Sequence, residues 1–377
     1  VRIPFMTLQD KNAVAELMVS TLVERLGDEV ELVFRYGSTV HGGAHRWSDV
    51  DFSYVPRHPT TWESITVLVD DILFDLYALQ WESLERMAEH DDWRATILSD
   101  LEIVHAASDE TRSRLERLVR RHHELEQPEA RATMVGKALA AFERTGFDFS
   151  QVSRTVELGE VSAARNHALR IIQTVLHALV LANQSRADTR KLDQMLALER
   201  RPERLGELID SVLRATEGAD LVRRCSDLLS ATHELLLAEQ AQTQRVPASY
   251  PERLGPAYPE LRADLQRVFL ACERRDLFGT QAKLFSFLHE LHLHLAQGER
   301  GIGYSGFNSP DEYRHEPLAH ETEKLIELAV GGRFDELREA AERFGERLRA
   351  YLGELGVGLY SYGSIDELRE ALAAGET

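Results

Sequence analysis

The chain reads as an α+β protein: an N-terminal mixed sheet with helices, followed by an all-α C-terminal region. Three observations predict this. Strand-like runs rich in Val, Ile, Phe and Tyr occur only early, at residues 31–36, 48–55, 71–79 and 101–106, where apolar residues alternate with polar ones at the strand period of two. From Glu110 onward the apolar residues recur at helical spacing instead. The charge is also uneven: residues 1–110 hold 21 acidic and 8 basic residues, so −13 of the total −19 falls on the first module.

In order, Thr7 is placed to cap a helix over 7–26 that Gly27 ends. Residues 31–36 form a first strand, 38–44 a short helix, and 48–55 a second strand closed by Pro56 and Pro59. A weakly helical segment is expected at 61–69, a third strand at 71–79, helices near 81–90, and a strand at 101–106. Helices follow at 112–125, 130–144, 161–183, 187–198, 202–215 and 219–241. Pro247, Pro251, Pro256 and Pro259 then read as a breaker-rich connector. Helices resume at 261–274 and 280–296, and after a glycine-rich loop at 298–317 they continue at 318–330, 333–355 and 365–374, the last capped by Ser364. The expected domains are 1–110, 111–246 and 247–377.

At 377 residues, 43% hydrophobic and 28% charged, the chain can bury more than one core. It has no apolar run approaching the ~20 residues of a membrane helix, and its start, VRIPFMTLQDKN, has no apolar targeting stretch. The two cysteines, Cys225 and Cys272, offer neither a disulfide framework nor a metal-ligand spacing, so inert core thiols in a reducing, cytoplasmic setting are expected. An acidic first module disfavours nucleic acid, whose binding needs phosphate neutralisation, and favours a small cationic partner.

Chemistry concentrates in residues 33–55, VFRYGSTVHGGAHRWSDVDFSYV. Strand alternation puts Asp49, Asp51 and Ser53 on one face and Val50, Phe52 and Tyr54 on the other. Two carboxylates side by side repel unless a cation sits between them, and Mg²⁺ with oxygen ligands suits that arrangement. The preceding turn holds Gly37, Ser38, Gly42 and Gly43 at a strand-to-helix junction, where backbone N–H groups can approach a phosphate. The ordered set Gly37-Ser38-x3-Gly42-x5-Ser48-Asp49-x-Asp51 resembles the signature of the polymerase-β-like nucleotidyltransferases, most of all the kanamycin and lincosamide type of antibiotic nucleotidyltransferase, over residues 28–110.

That resemblance implies two Mg²⁺ ions and ATP or another NTP as co-substrate. It also implies a third carboxylate on a neighbouring strand. Asp75 fits, facing opposite to Phe74 and Leu76, while Asp70 and Asp71 fall at the strand entrance. Asp49, Asp51 and Asp75 would hold the ions, and Gly37, Ser38, Gly42 and Ser48 the phosphates. His41 stands where many relatives carry Arg. A general base would come from the helical region. Glu160, ahead of the helix at 161–183, is the choice over Glu157 and over Asp148, read as lying in a loop. The implied activity is transfer of a nucleoside monophosphate, AMP above all, to a hydroxyl of a small cationic acceptor, in a chain whose relatives are often homodimers. The alternatives are modification of a partner protein, as in toxin–antitoxin modules, and a non-catalytic nucleotide-binding relative.

Other patterns carry less. His289-Glu290-Leu291-His292 is one residue short of a zinc-helix spacing. Arg170-x6-His177 matches the loose spacing of HEPN ribonucleases, and helical chains produce it readily by chance. The loop 301–308 lacks the lysine and the strand–helix frame of a phosphate-binding P-loop.

Overall fold

The computed structural model describes residues 7–37, 39–40, 48–58, 65–70, 72–243, 245, 247–301, 315–362 and 364–374. An N-terminal mixed sheet with helices is followed by a predominantly α-helical chain. The chain divides into two units, Val1–Thr243 and Gln244–Thr377.

The first unit opens with helix α1 (Leu8–Leu26). Thr7 caps it, its hydroxyl accepting from the Asp10 N–H while Asp10 answers from the third position, and Gly27, with φ of 51°, ends it. Five strands follow: β1 (Val30–Tyr36), β2 (Val50–Pro56), β3 (Ile65–Val69), β4 (Ile72–Ala78) and β5 (Leu101–Ala106). They form one sheet in the order β3-β4-β2-β1-β5, antiparallel throughout except for the central β2–β4 pair. Val33, Val50, Phe52, Tyr54, Phe74 and Leu76 pack beneath α1. Leu32, Phe34 and Val55 pack on the opposite face against α2 (Trp81–Ala88) and α3 (Asp109–Leu125). With both faces covered, strand order and register are specified by burial.

β3 corrects the expectation of a weak helix at 61–69: residues 65–69 are an edge strand on β4, joined to it by a turn in which Asp70 takes φ of 50°. Ile65, Thr66, Val67 and Val69 are β-branched, and a partner strand decides between two short readings that local pattern leaves close. The expected short helix at 38–44 falls largely outside the described residues.

The rest of this unit is helical: α4 (Arg131–Glu143), α5 (Thr145–Glu157), α6 (Val161–Ala182), α7 (Leu192–Leu196), α8 (Leu205–Arg214) and α9 (Gly218–Thr243) share one core around Ala168, Ile171, Val175 and Leu179 of α6. Two expectations fail here. Residues 145–157 form α5 rather than a loop, because Val152 is fully buried and Phe149 and Val156 pack on the core. The helix expected over 187–198 shrinks to α7, because Gln184 takes a positive φ and the Asp188 carboxylate accepts from the Arg190 N–H in an Asx turn.

The second unit contains α10 (Tyr250–Glu273), α11 (Leu277–Arg300), α12 (Glu316–Val330), α13 (Phe334–Glu354) and α14 (Ile365–Ala374). Its core runs through Leu261, Leu265, Phe287, Leu291, Leu325 and Phe344. The proline connector is shorter than expected: Pro247 lies between α9 and α10, where the two units divide. Pro251 lies in the first turn of α10 and Pro256 and Pro259 inside it, because Leu254, Tyr258, Leu261 and Leu265 form a buried stripe that outweighs two missing N–H donors. Cys225 and Cys272 are both buried and free, and burial pushes the Cys225 thiol up to about 11. Among the described residues no helix is long and apolar enough to cross a membrane.

Pro259 is exposed within α10. Pro259→Ala restores a helical donor, worth about 3 kcal/mol in a helix interior, against a loss of about 0.4–1 kcal/mol through the looser unfolded chain. A net gain of roughly 2 kcal/mol is expected in urea unfolding.

Candidate active site

The site is built on a row that crosses four strands. In the sheet register Tyr36 of β1 lies opposite Asp51 of β2, Asp51 opposite Asp75 of β4, and Asp75 opposite Thr66 of β3. Neighbouring strands are about 4.8 Å apart, so the two carboxylates stand side by side on one face while Phe52 and Phe74 close the other. Thr66 donates its hydroxyl proton to Asp75 at 2.7 Å. Asp49, just ahead of β2, is exposed and adds a third charge.

The electrostatics follow from this crowding. The Asp51 carboxyl is pushed up to about 6, first by burial and then by the charges of Asp49 and Asp75, with Arg190 pulling the other way. Burial, the Tyr77 hydroxyl and the charge of Asp51 all raise the Tyr36 phenol, whose ring meets Tyr77 edge-on at 6.4 Å and lies tilted 6.1 Å from Phe34. Gly37 follows this row with φ of 83°, and a Cβ there would lie 2.9 Å from Asp51 Oδ2. Only glycine brings the backbone this close to the carboxylate.

Two cations come from elements the motif does not include. Lys11 of α1 is buried and donates from Nζ to the Ser48 carbonyl at 2.6 Å, pinning the entry to β2 beside Asp49. Burial lowers its pKa and Asp49 opposes that. Lys11 was legible, since it shares the apolar stripe of Ala15, Val19 and Leu22 on α1. Arg190 lies in the segment between α6 and α7, where Asp188 accepts from its main-chain N–H and its Nε, both at 3.0 Å. Asp49 and Asp51 also raise its pKa, after Asp188. Its only sequence signal was the polar stretch 183–191 after an apolar helix.

Of the other expected site residues, Ser48 directly precedes Asp49 at the entry to β2. Ser48 is buried, and its backbone rather than its side chain makes the Lys11 contact. Ser38, His41 and Gly42 lie outside the described residues. Glu160 is exposed at the N-terminus of α6 and makes no side-chain cap bond. The 22 residues of α6 span about 33 Å, so Glu160 stands at the opposite end from the segment that carries Arg190. Asp148 lies in α5, where it accepts from Arg170 Nε at 2.9 Å and meets His167 Nδ1 at 2.7 Å. In the second unit His294 lies 3.8 Å from Glu290 and His289 stacks on Phe285, a packed arrangement rather than a zinc helix.

No protein-family profile matches this chain, and no curated protein does either. Among solved structures it is similar to a nucleotidyltransferase-like protein from Exiguobacterium sibiricum 255-15, at 15% identity over 61% of this chain and 76% of that chain, with a TM-score of 0.38. A likeness at that level adds nothing to the chemistry of the site, which stands on the geometry above.

Because the folded Asp51 carboxyl keeps its proton to about pH 6 and the unfolded one ionises near 3.8, stability falls as pH rises through that window. Asp51→Asn is therefore expected to stabilise the chain by roughly 1–2 kcal/mol at about pH 7.5 without divalent ions, the gain fading towards about pH 4; urea unfolding at both pH values measures it. Gly37→Ala is expected to cost about 1–3 kcal/mol in the same assay, through its positive φ and the clash with Asp51.

Proposed function

We propose that this chain is a divalent-metal-dependent nucleotidyltransferase that moves a nucleoside monophosphate, AMP from ATP in the first instance, to a hydroxyl of a small cationic acceptor. One observation carries the reading: Asp51 and Asp75 are held opposite each other on parallel strands, with Asp49 adjacent, so that burial and like charge drive Asp51 to about 6. Like charges directly opposed across strands destabilise a sheet, and a cation relieves them.

The residues fit the ion. Asp49, Asp51 and Asp75 would hold Mg²⁺, which when bound neutralises charge on the phosphoryl oxygens and eases ionisation of the acceptor hydroxyl. Gly37 keeps side-chain atoms away from Asp51 and leaves room for the triphosphate beside the acids. Thr66 orients Asp75, and Lys11 fixes the backbone that carries Asp49. Arg190, tethered by Asp188 and close enough for its charge to be felt at Asp51, would pair with phosphate oxygens once a nucleotide is bound. Residues 1–110 would then be the catalytic module and 111–246 the helical wall that closes it, with 247–377 a second helical region.

Pyrophosphate release from a panel of nucleotides under Mg²⁺ or Mn²⁺, with cationic hydroxylated acceptors followed by mass, tests this reading. Asp49→Asn and Asp75→Asn are expected to lower release at least about 10²-fold. Arg190→Ala should raise the nucleotide KM about tenfold with a smaller change in kcat. No release with any nucleotide and acceptor sinks the proposal, while transfer confined to a partner protein replaces the acceptor class.

A further inference from the structure

We propose that His122, His123 and Glu126, at the C-terminal end of α3, form a binding site for a zinc-class divalent ion, held in competition with Arg186. This site is separate from the carboxylate row and uses nitrogen donors that Mg²⁺ does not favour.

His122 and Glu126 are one helical turn apart and so share a face. His122 Nε2 lies 3.4 Å from Glu126 Oε1, and His123 Nδ1 lies 3.0 Å from Glu126 Oε2. One donor atom from each of the three residues falls within 4.8 Å of the others. Bonds of about 2.0–2.2 Å in a tetrahedron separate ligand atoms by about 3.3–3.5 Å, and the two separations from Glu126, 3.4 and 3.0 Å, are already close to that. Ser99 Oγ, 3.1 Å from His122 Nε2, or a water could complete the shell.

A cation already sits among these donors. Arg186 Nη2 is 2.6 Å from Glu126 Oε2 and 2.9 Å from His123 Nδ1, and Arg186 Nε is 2.8 Å from Glu126 Oε1. His123 Nδ1 thus lies between a donor, Arg186 Nη2, and an acceptor, Glu126 Oε2 at 3.0 Å, and an ion would take it with its lone pair on Nδ1. The His122 ring is buried and stacked on His90 at 4.3 Å between ring centres, which holds its Nε2 on the side of Glu126, while its Nδ1 has no hydrogen-bond partner among the described residues. A displaced Arg186 has a second acid in reach, since its Nη1 is 4.0 Å from Asp100 Oδ2.

Zinc titration of the full-length chain against a chromophoric chelator tests the proposal, with circular dichroism as the check on folding. His123 is only half-buried, so His123→Ala is expected to fold and to lose one equivalent of bound zinc. Arg186→Ala is expected to bind that equivalent at least about tenfold more tightly, because the competing cation is gone. Unchanged zinc stoichiometry in His123→Ala overturns the site, and unchanged affinity in Arg186→Ala overturns the competition.

Discussion

The N-terminal module is organised by an electrostatic conflict that it does not resolve by itself. Two aspartates opposite one another on adjacent parallel strands repel by about 3 kcal/mol at 5 Å with an effective dielectric constant near 20. Folding tolerates them because the opposite face is closed by Phe52, Phe74, Val50 and Leu76 under α1, a hydrophobic gain much larger than the repulsion. The neighbours of the row serve the same compromise. Thr66 donates to one carboxylate, Gly37 withdraws its bulk from the other, and Lys11 anchors the chain where the third begins. A sheet optimised for stability alone would place no acids in this row.

What the sequence made legible follows from which forces are local. The alternation in residues 48–54 determines which side chains share a face whatever the tertiary structure, so Asp49 and Asp51 could be paired in advance. The position of Asp75 needed only that a second strand lie beside β2, and the register places it opposite Asp51. Local pattern failed where packing overrides propensity. The edge strand β3 needs β4 as its partner, α5 needs the buried Val152, and α10 keeps two internal prolines because its apolar stripe is continuous. Arg190 was hidden by the opposite error, a helix expected where an Asx turn stops one. Its proximity to Asp49 and Asp51 joins residues some 140 positions apart, and no pattern within a window of the sequence carries that information.

The choice of Glu160 as base rested on its place before the apolar helix α6, and that place is also its difficulty. An acid at a helix N-terminus is favoured by the macrodipole alone, so its presence there says nothing of reactivity. The side of α6 that communicates with the sheet module is its C-terminal half and the segment beyond it. His177 is half-buried and feels the charge of Asp92, Gln184 donates to the Leu125 carbonyl at 2.9 Å, and the charge of Arg190 is felt at Asp51. Groups that would assist the proposed chemistry at the carboxylate row are therefore to be sought at this end of the bundle.

The charge asymmetry takes on a second meaning in the structure. The −13 of residues 1–110 is met in part from within the chain, by bases that later helices turn towards it. Lys137 of α4 pairs with Asp91 at 2.7 Å, Arg121 and Arg114 of α3 pair with Glu89 and Glu85, and Arg186 lies near Asp100. Exposed pairs of this kind contribute little stability each, but all are unfavourable to any other placement of helices against the module, and so they fix orientation more than energy. The segment 183–191 is the extreme case, pairing Arg186 with Glu126 and holding Arg190 where its charge reaches Asp51, from one short stretch between helices. A single loop thus carries one arginine that pairs with Glu126 and another whose charge is felt at Asp51.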